Sequence, residues 1–100
     1  MSNHYAVIVR RGSAFDQSKP SNEQEGFEPH SVHWRGLEAS GFVAMAGLMK
    51  SSMEVLFIIR AQSEEEVREK IGGDVWQQTG HAEIVRLEPI DIRFGAPPPA

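Results

Sequence analysis

The sequence predicts a single α+β domain in which strands and helices follow the order β-α-β-β-α-β. Three observations carry this. Compact apolar runs, two of them rich in β-branched residues, stand at Tyr5–Val9, Phe42–Ala46 and Val55–Ile59, the mark of strands. Ser63-Glu-Glu-Glu66 is a capping-box pattern, which marks the start of a helix. A chain of 100 residues is long enough for one core and no more.

The first expected strand is Tyr5–Val9. Residues 10–26 follow, rich in Gly, Ser, Pro, Asn and charge, and read as a long exposed loop that is either a lid or slack. Pro29 suits the first turn of a helix, where its missing N–H costs nothing. Val32, Leu37 and Trp34 supply an apolar stripe, and Gly41 ends the run, so a helix is expected over Pro29–Ser40. Phe42–Ala46 is the second strand, Gly47–Ser52 turns the chain, and Val55–Ile59 is the third strand. The capped helix runs from Ser63 to about Ile71, where Gly72-Gly73 breaks it. Asp74 to Gln78 reads as a short helical turn with Asp74 as its cap. Ala82–Arg93 is the last strand. This order is the split βαβ arrangement of ferredoxin-like folds, with a four-stranded antiparallel sheet. The domain spans residues 1–94, and residues 95–100 form a Pro-rich tail with nothing to bury.

Ala6–Val9 and Val55–Ile59 are apolar without interruption, whereas a half-exposed strand alternates. Two helices cover only one face of such a sheet. A second copy of the chain is the economical cover for the other, so a homodimer is expected. With 14 acids against 10 bases and a net charge of -4, the chain lacks the clustered Lys and Arg that nucleic-acid binding requires. No stretch approaches the roughly 20 apolar residues that span a bilayer, so no membrane partner is expected. There is no cysteine, hence no thiolate nucleophile and no disulfide framework, which fits a cytoplasmic protein.

Chemistry rests on the histidines. His30 and His33 are neighbours at i, i+3 on the first helix. His30 falls in the first turn, and a neutral imidazole there is a competent general base. Asp74, alone after the Gly-Gly break, is the best candidate for a carboxylate that orients the ring and stabilises the imidazolium. As an isolated residue it is equally an N-cap. His30, His33 and one acid also form a weak candidate metal site. His33 by itself reads as a surface or packing residue, and His81 as an edge residue. Trp34 and Trp76 are candidates to line a pocket for an apolar or aromatic ligand.

The segment His30-Ser-Val-His-Trp-Arg-Gly-Leu37, with Gly41, Ala46-Gly47, Ser63-Glu-Glu-Glu-Val67, Asp74-Val-Trp76, Gly80 and Glu88-Pro89, resembles the YCII-related domains of the dimeric α+β barrel superfamily. The resemblance covers about His30 to Arg93 and the first strand. It implies a ferredoxin-like dimer closing into an α+β barrel, with a His-Asp active site that falls by position on His30 and Asp74. Phe27 stands where the family often has an arginine three residues before its histidine. Ala46-Gly47-Leu48 replaces Ala-Gly-Pro, and Asp74-Val75-Trp76 replaces Asp-Pro-Phe. With Phe27, His33, Trp34 and Trp76 as the substrate-binding set, the expectation is proton abstraction from a small cyclic or aromatic compound. Isomerisation or elimination would follow without a cofactor. A ligand-binding or regulatory module with the same pocket is the alternative, and a haem- or metal-dependent oxygenase is the third reading.

Overall fold

The computed structural model describes residues 3–95. The elements are β1 (Asn3–Arg11), α1 (Phe27–Ala39), β2 (Val43–Met49), β3 (Glu54–Ala61), α2 (Glu64–Gly72), α3 (Val75–Thr79) and β4 (Ala82–Pro89), with a 3₁₀ turn at Ser21–Glu23. The four strands form one antiparallel sheet in the order β2-β3-β1-β4. An α+β domain of this order is compatible with a ferredoxin-like fold.

Register sorts the side chains. Tyr5 faces Ile59 and Val7 faces Phe57 across β1 and β3, while Val7 faces Leu87 across β1 and β4. These residues share the face that the helices cover, and Tyr5, Val7, Val9 and Ile59 are buried there. Burial therefore alternates along these uninterrupted apolar runs. Ala6, Ile8 and Ile58 on the opposite face are half-buried, and Leu56 and Met45 are exposed. One-residue irregularities at Ile8/Val9 and Val43/Met45 re-aim side chains near the strand ends.

The two main helices pack differently. α2 buries Val67 and Ile71 completely against the sheet. At its start Ser63 Oγ accepts from the Glu66 amide, as expected of a capping box, while the Glu66 side chain reaches one residue beyond the N-cap and accepts from the Gln62 amide. α1 buries no residue fully. It leans on the sheet through Trp34, which stacks on Phe57 with ring centroids 4.4 Å apart, and through Leu37. Val32 is 58% exposed and stands outside the stripe expected for it. The inward face runs His30, Trp34, Leu37, the i, i+4, i+7 row. A helix held by half-buried contacts leaves space beneath it, and the site lies in that space.

Several bounds differ from expectation. β1, β2 and β3 each extend beyond their apolar cores, since cross-strand bonds do not require apolar side chains. β4 ends at Pro89, which has no N–H to continue the ladder, although the Ile90 amide still reaches the His4 carbonyl at 3.0 Å. α1 begins at Phe27, two residues before Pro29, because Gly26 takes a left-handed conformation (φ 79°) that turns the chain into the helix. Of the expected tail, residues 96–100 lie outside the described residues.

The long loop is a packed structure. Its first turn lies against Gly80: the Gly12 amide donates to the His81 carbonyl and the Ala14 amide to the Gly80 carbonyl. The approach is so close that a Cβ on Gly12 would stand 2.1 Å from that carbonyl oxygen. Phe15 is buried. Gln24, also buried, accepts from the Asp16 amide and donates to the Asp16 and Lys19 carbonyls. These bonds close the loop on itself, and Phe15 attaches it to α3.

Candidate active site

α2 ends at the Gly72-Gly73 pair, and Asp74 then takes an extended conformation and caps α3. Its Oδ1 accepts from the Trp76 amide at 3.0 Å. The same carboxylate faces α1. His30 Nδ1 lies 3.0 and 2.9 Å from the two oxygens, and Trp34 Nε1 donates to Oδ2 at 2.8 Å. Asp74 is thus a cap and a partner of the histidine at once. Its side chain is 1% exposed. Burial pushes its pKa up, but the hydrogen bonds from His30, Trp34 and Trp76 outweigh that and hold it below the ordinary carboxylate value. It is therefore an anion at neutral pH.

An ionised carboxylate only accepts. His30 Nδ1 must then carry the proton it donates, which fixes the tautomer and leaves the lone pair of a neutral ring on Nε2. Among the described residues no hydrogen bond involves Nε2. His30 is about one-fifth exposed, and it lines a cavity of about 450 Å³ between α1, the sheet and the loop.

Trp76 sets the position of the ring. His30 stacks on its indole with centroids 3.7 Å apart and planes 14° from parallel. Trp76 Nε1 donates to the Glu25 carbonyl at 2.9 Å, which ties α3 to the turn that opens α1. Phe15 meets Trp76 edge-on at 6.0 Å. Phe27, Trp34 and Trp76 line the cavity together with His30 and Asp74. His33 does not. Its Nε2 hydrogen-bonds the Lys70 carbonyl at 2.7 Å, so the ring faces α2. The i, i+3 histidines have separate partners, and among the described residues no group of three His, Cys, Asp or Glu gathers in a metal-holding arrangement.

His81 lies elsewhere than expected. It is buried in the cavity wall, shares a 2.7 Å hydrogen bond with the Thr79 hydroxyl, and lies nearly parallel to Trp76 at 5.7 Å. The left-handed Gly80 (φ 86°) turns the chain so that the first residue after it points inward. Phe15, Arg11 and Arg35 also line the cavity. Nothing local in the sequence singles them out, because the loop and the strand end that bring them there are long-range features.

No family model, no curated protein and no solved structure matches this chain. What it can do is therefore argued from its side chains. A histidine of fixed tautomer, backed by a buried carboxylate and with one ring nitrogen unpartnered at a largely apolar cavity, has the chemistry to take a proton from a bound molecule. No helix among the described residues is long and apolar enough to cross a membrane.

Proposed function

We propose that this protein is a small-molecule enzyme of the YCII-related kind in which His30 acts as general base on a small cyclic or aromatic compound, leading to isomerisation or elimination. The observation that carries the reading is the contact of His30 Nδ1 with both oxygens of the buried Asp74, while Nε2 is left without a protein partner. Asp74 holds the tautomer, and its charge stabilises the imidazolium that forms when Nε2 takes the proton. The same proton is then available for return to another atom of the substrate, so base and acid are one residue.

The test is proton exchange. Small aromatic and alicyclic compounds are incubated with the protein in D₂O, and loss of individual C–H signals is followed by NMR. His30→Ala and Asp74→Ala are expected to abolish exchange with losses that do not add, since the two act as one unit. Exchange that persists unchanged in His30→Ala removes the reading.

One observation favours a ligand-binding module instead: Asp74 would be needed as cap and as acceptor for Trp34 even if no reaction occurred. In that case ligands bind and no exchange is found with either form.

The reading includes self-association through the outer face of the sheet, which would form a dimeric α+β barrel. Leu56, Met45 and Val85 are exposed on the single chain, beside the half-buried Ala6, Ile8 and Ile58. An apolar face of this kind is what a second copy would cover.

A further inference from the structure

We infer that the cavity takes a small aromatic or alicyclic carboxylate, with Arg11 as the anchor of its charge; this rests on the reading of the cavity as a substrate site. The chain carries more acids than bases, so a guanidinium without an acidic partner calls for a reason. Arg10 pairs with Glu83, Arg68 with Glu64, Arg86 with Glu88 and Arg93 with Asp91. Arg60 donates to the Gly41 carbonyl. Arg11 and Arg35 remain, with no carboxylate within 4 Å among the described residues, and both line the cavity that holds His30.

Of the two, Arg11 is held in place. Its guanidinium carbon lies 4.4 Å above the ring of the buried Phe15. Phe15 in turn meets Trp76, on which His30 is stacked. The cation is thus fixed relative to the base through two aromatic side chains, Phe15 and Trp76. Arg35, on α1, is exposed and reaches only the Ser31 carbonyl, at 3.4 Å.

The acids in the wall do not compete. Asp74 is saturated by three donors, and Glu38 is an exposed residue of the rim. Of the remaining wall, Arg10 is already paired with Glu83, and Phe27, Trp34, Val55 and Phe57 offer no charge. One anchored cation in an apolar, aromatic cavity suits one anionic group on an apolar body. The planar fork of a guanidinium matches a carboxylate in particular. Phe27 closes the α1 side of the cavity without charge, and Arg11 supplies a cation from the end of β1.

Binding without turnover tests this, so the outcome does not depend on the dyad being active. Benzoate, cyclohexanecarboxylate, benzamide and phenyl phosphate are titrated into the full chain by calorimetry. The carboxylates are expected to bind, and benzamide about tenfold more weakly or less. Arg11→Gln is expected to weaken benzoate by about ten- to hundredfold and leave benzamide unchanged, with Arg11→Lys in between. Arg93→Gln, remote from the cavity, changes nothing. Equal binding of benzoate and benzamide, an unaffected Arg11→Gln that melts like the parent, or no carboxylate binding at about 10 mM overturns the inference. Phenyl phosphate binding more tightly than benzoate overturns the choice of carboxylate. Carboxylate binding without proton exchange supports the anchor and defeats the proposed catalysis.

Discussion

Replacing Asp74 tests the site at its most constrained point. The carboxylate is 1% exposed and accepts from the Trp76 amide, the Trp34 indole and the His30 ring. In Asp74→Ala the Trp76 amide loses its cap, worth about 1 kcal/mol and up to ~2. The Trp34 N–H, in a part-buried setting, is left without an acceptor at about 1–3 kcal/mol. His30 is partly exposed, so water can replace the lost acceptor and the cost there stays below ~1 kcal/mol. The sum is about 2–6 kcal/mol, a large share of the ~5–15 kcal/mol that stabilises a domain of this size. A melting temperature lower by at least ~8 °C follows.

Asp74→Asn separates geometry from charge. An amide has one oxygen and one NH₂. Oδ1 of Asp74 serves the Trp76 amide and Oδ2 serves the Trp34 indole, so an asparagine can satisfy only one of them. The other donor then faces a donor, at about 1–3 kcal/mol. Urea unfolding followed by far-UV circular dichroism measures both variants. An alanine variant within about 0.5 kcal/mol of the parent would show that the three donors do not depend on this carboxylate, and the argument for an enforced tautomer would fail with it.

The folded-state pKa of Asp74 lies below its unfolded value, so its contribution to stability is fully present above about pH 4 and is lost as the pH falls through the folded value. Acid unfolding curves of the parent and Asp74→Ala should therefore draw closer together as the pH falls below about 4. Nitrogen-15 NMR of His30 should report Nδ1–H as the neutral tautomer, and an Nε2–H form would contradict the site geometry. Phe15→Ala should cost about 3 kcal/mol in urea unfolding, because a buried aromatic is removed, whereas a slack loop would register almost nothing. Gly12→Ala should lower the melting temperature by several degrees, since its Cβ meets the Gly80 carbonyl, and an unchanged melt would show that the loop gives way freely. Leu56→Lys should leave the circular dichroism unchanged and roughly halve the sedimenting mass; an unchanged mass excludes this face as the contact.

The elements were legible where a local signal settles them. Ser63-Glu-Glu-Glu66 specifies a helix start through bonds among neighbours, and Asp74 after Gly72-Gly73 specifies a cap in the same way. The strand cores were legible from composition, and their ends were not, since pairing continues wherever a partner strand offers bonds. Val32 was misplaced because β-branched bulk does not say which side of α1 meets the sheet. Trp34 and Leu37 decide that by meeting Phe57 and the core. His30 and Asp74 stood out as a chemical pair, but 44 residues separate them, and nothing local tells an N-cap from a dyad partner. His33, read as a packing residue and also placed in the substrate-binding set, faces α2, whereas His81, read as an edge residue, lines the cavity.

Trp76 explains why a loop that reads as slack is part of the site. Its amide is capped by Asp74, its indole nitrogen holds the Glu25 carbonyl, one face carries His30, and Phe15 meets its edge. A shift of the loop at Phe15 therefore reaches the His30 ring through a single rigid side chain, and so does a change at the start of α1. Aromatic bulk at this position ties the loop, the short helix and the base into one packed unit. Mutations in the loop should then disturb His30 more than equally destabilising mutations in β4. A loop variant that lowers stability without moving the His30 ring resonances would break that link.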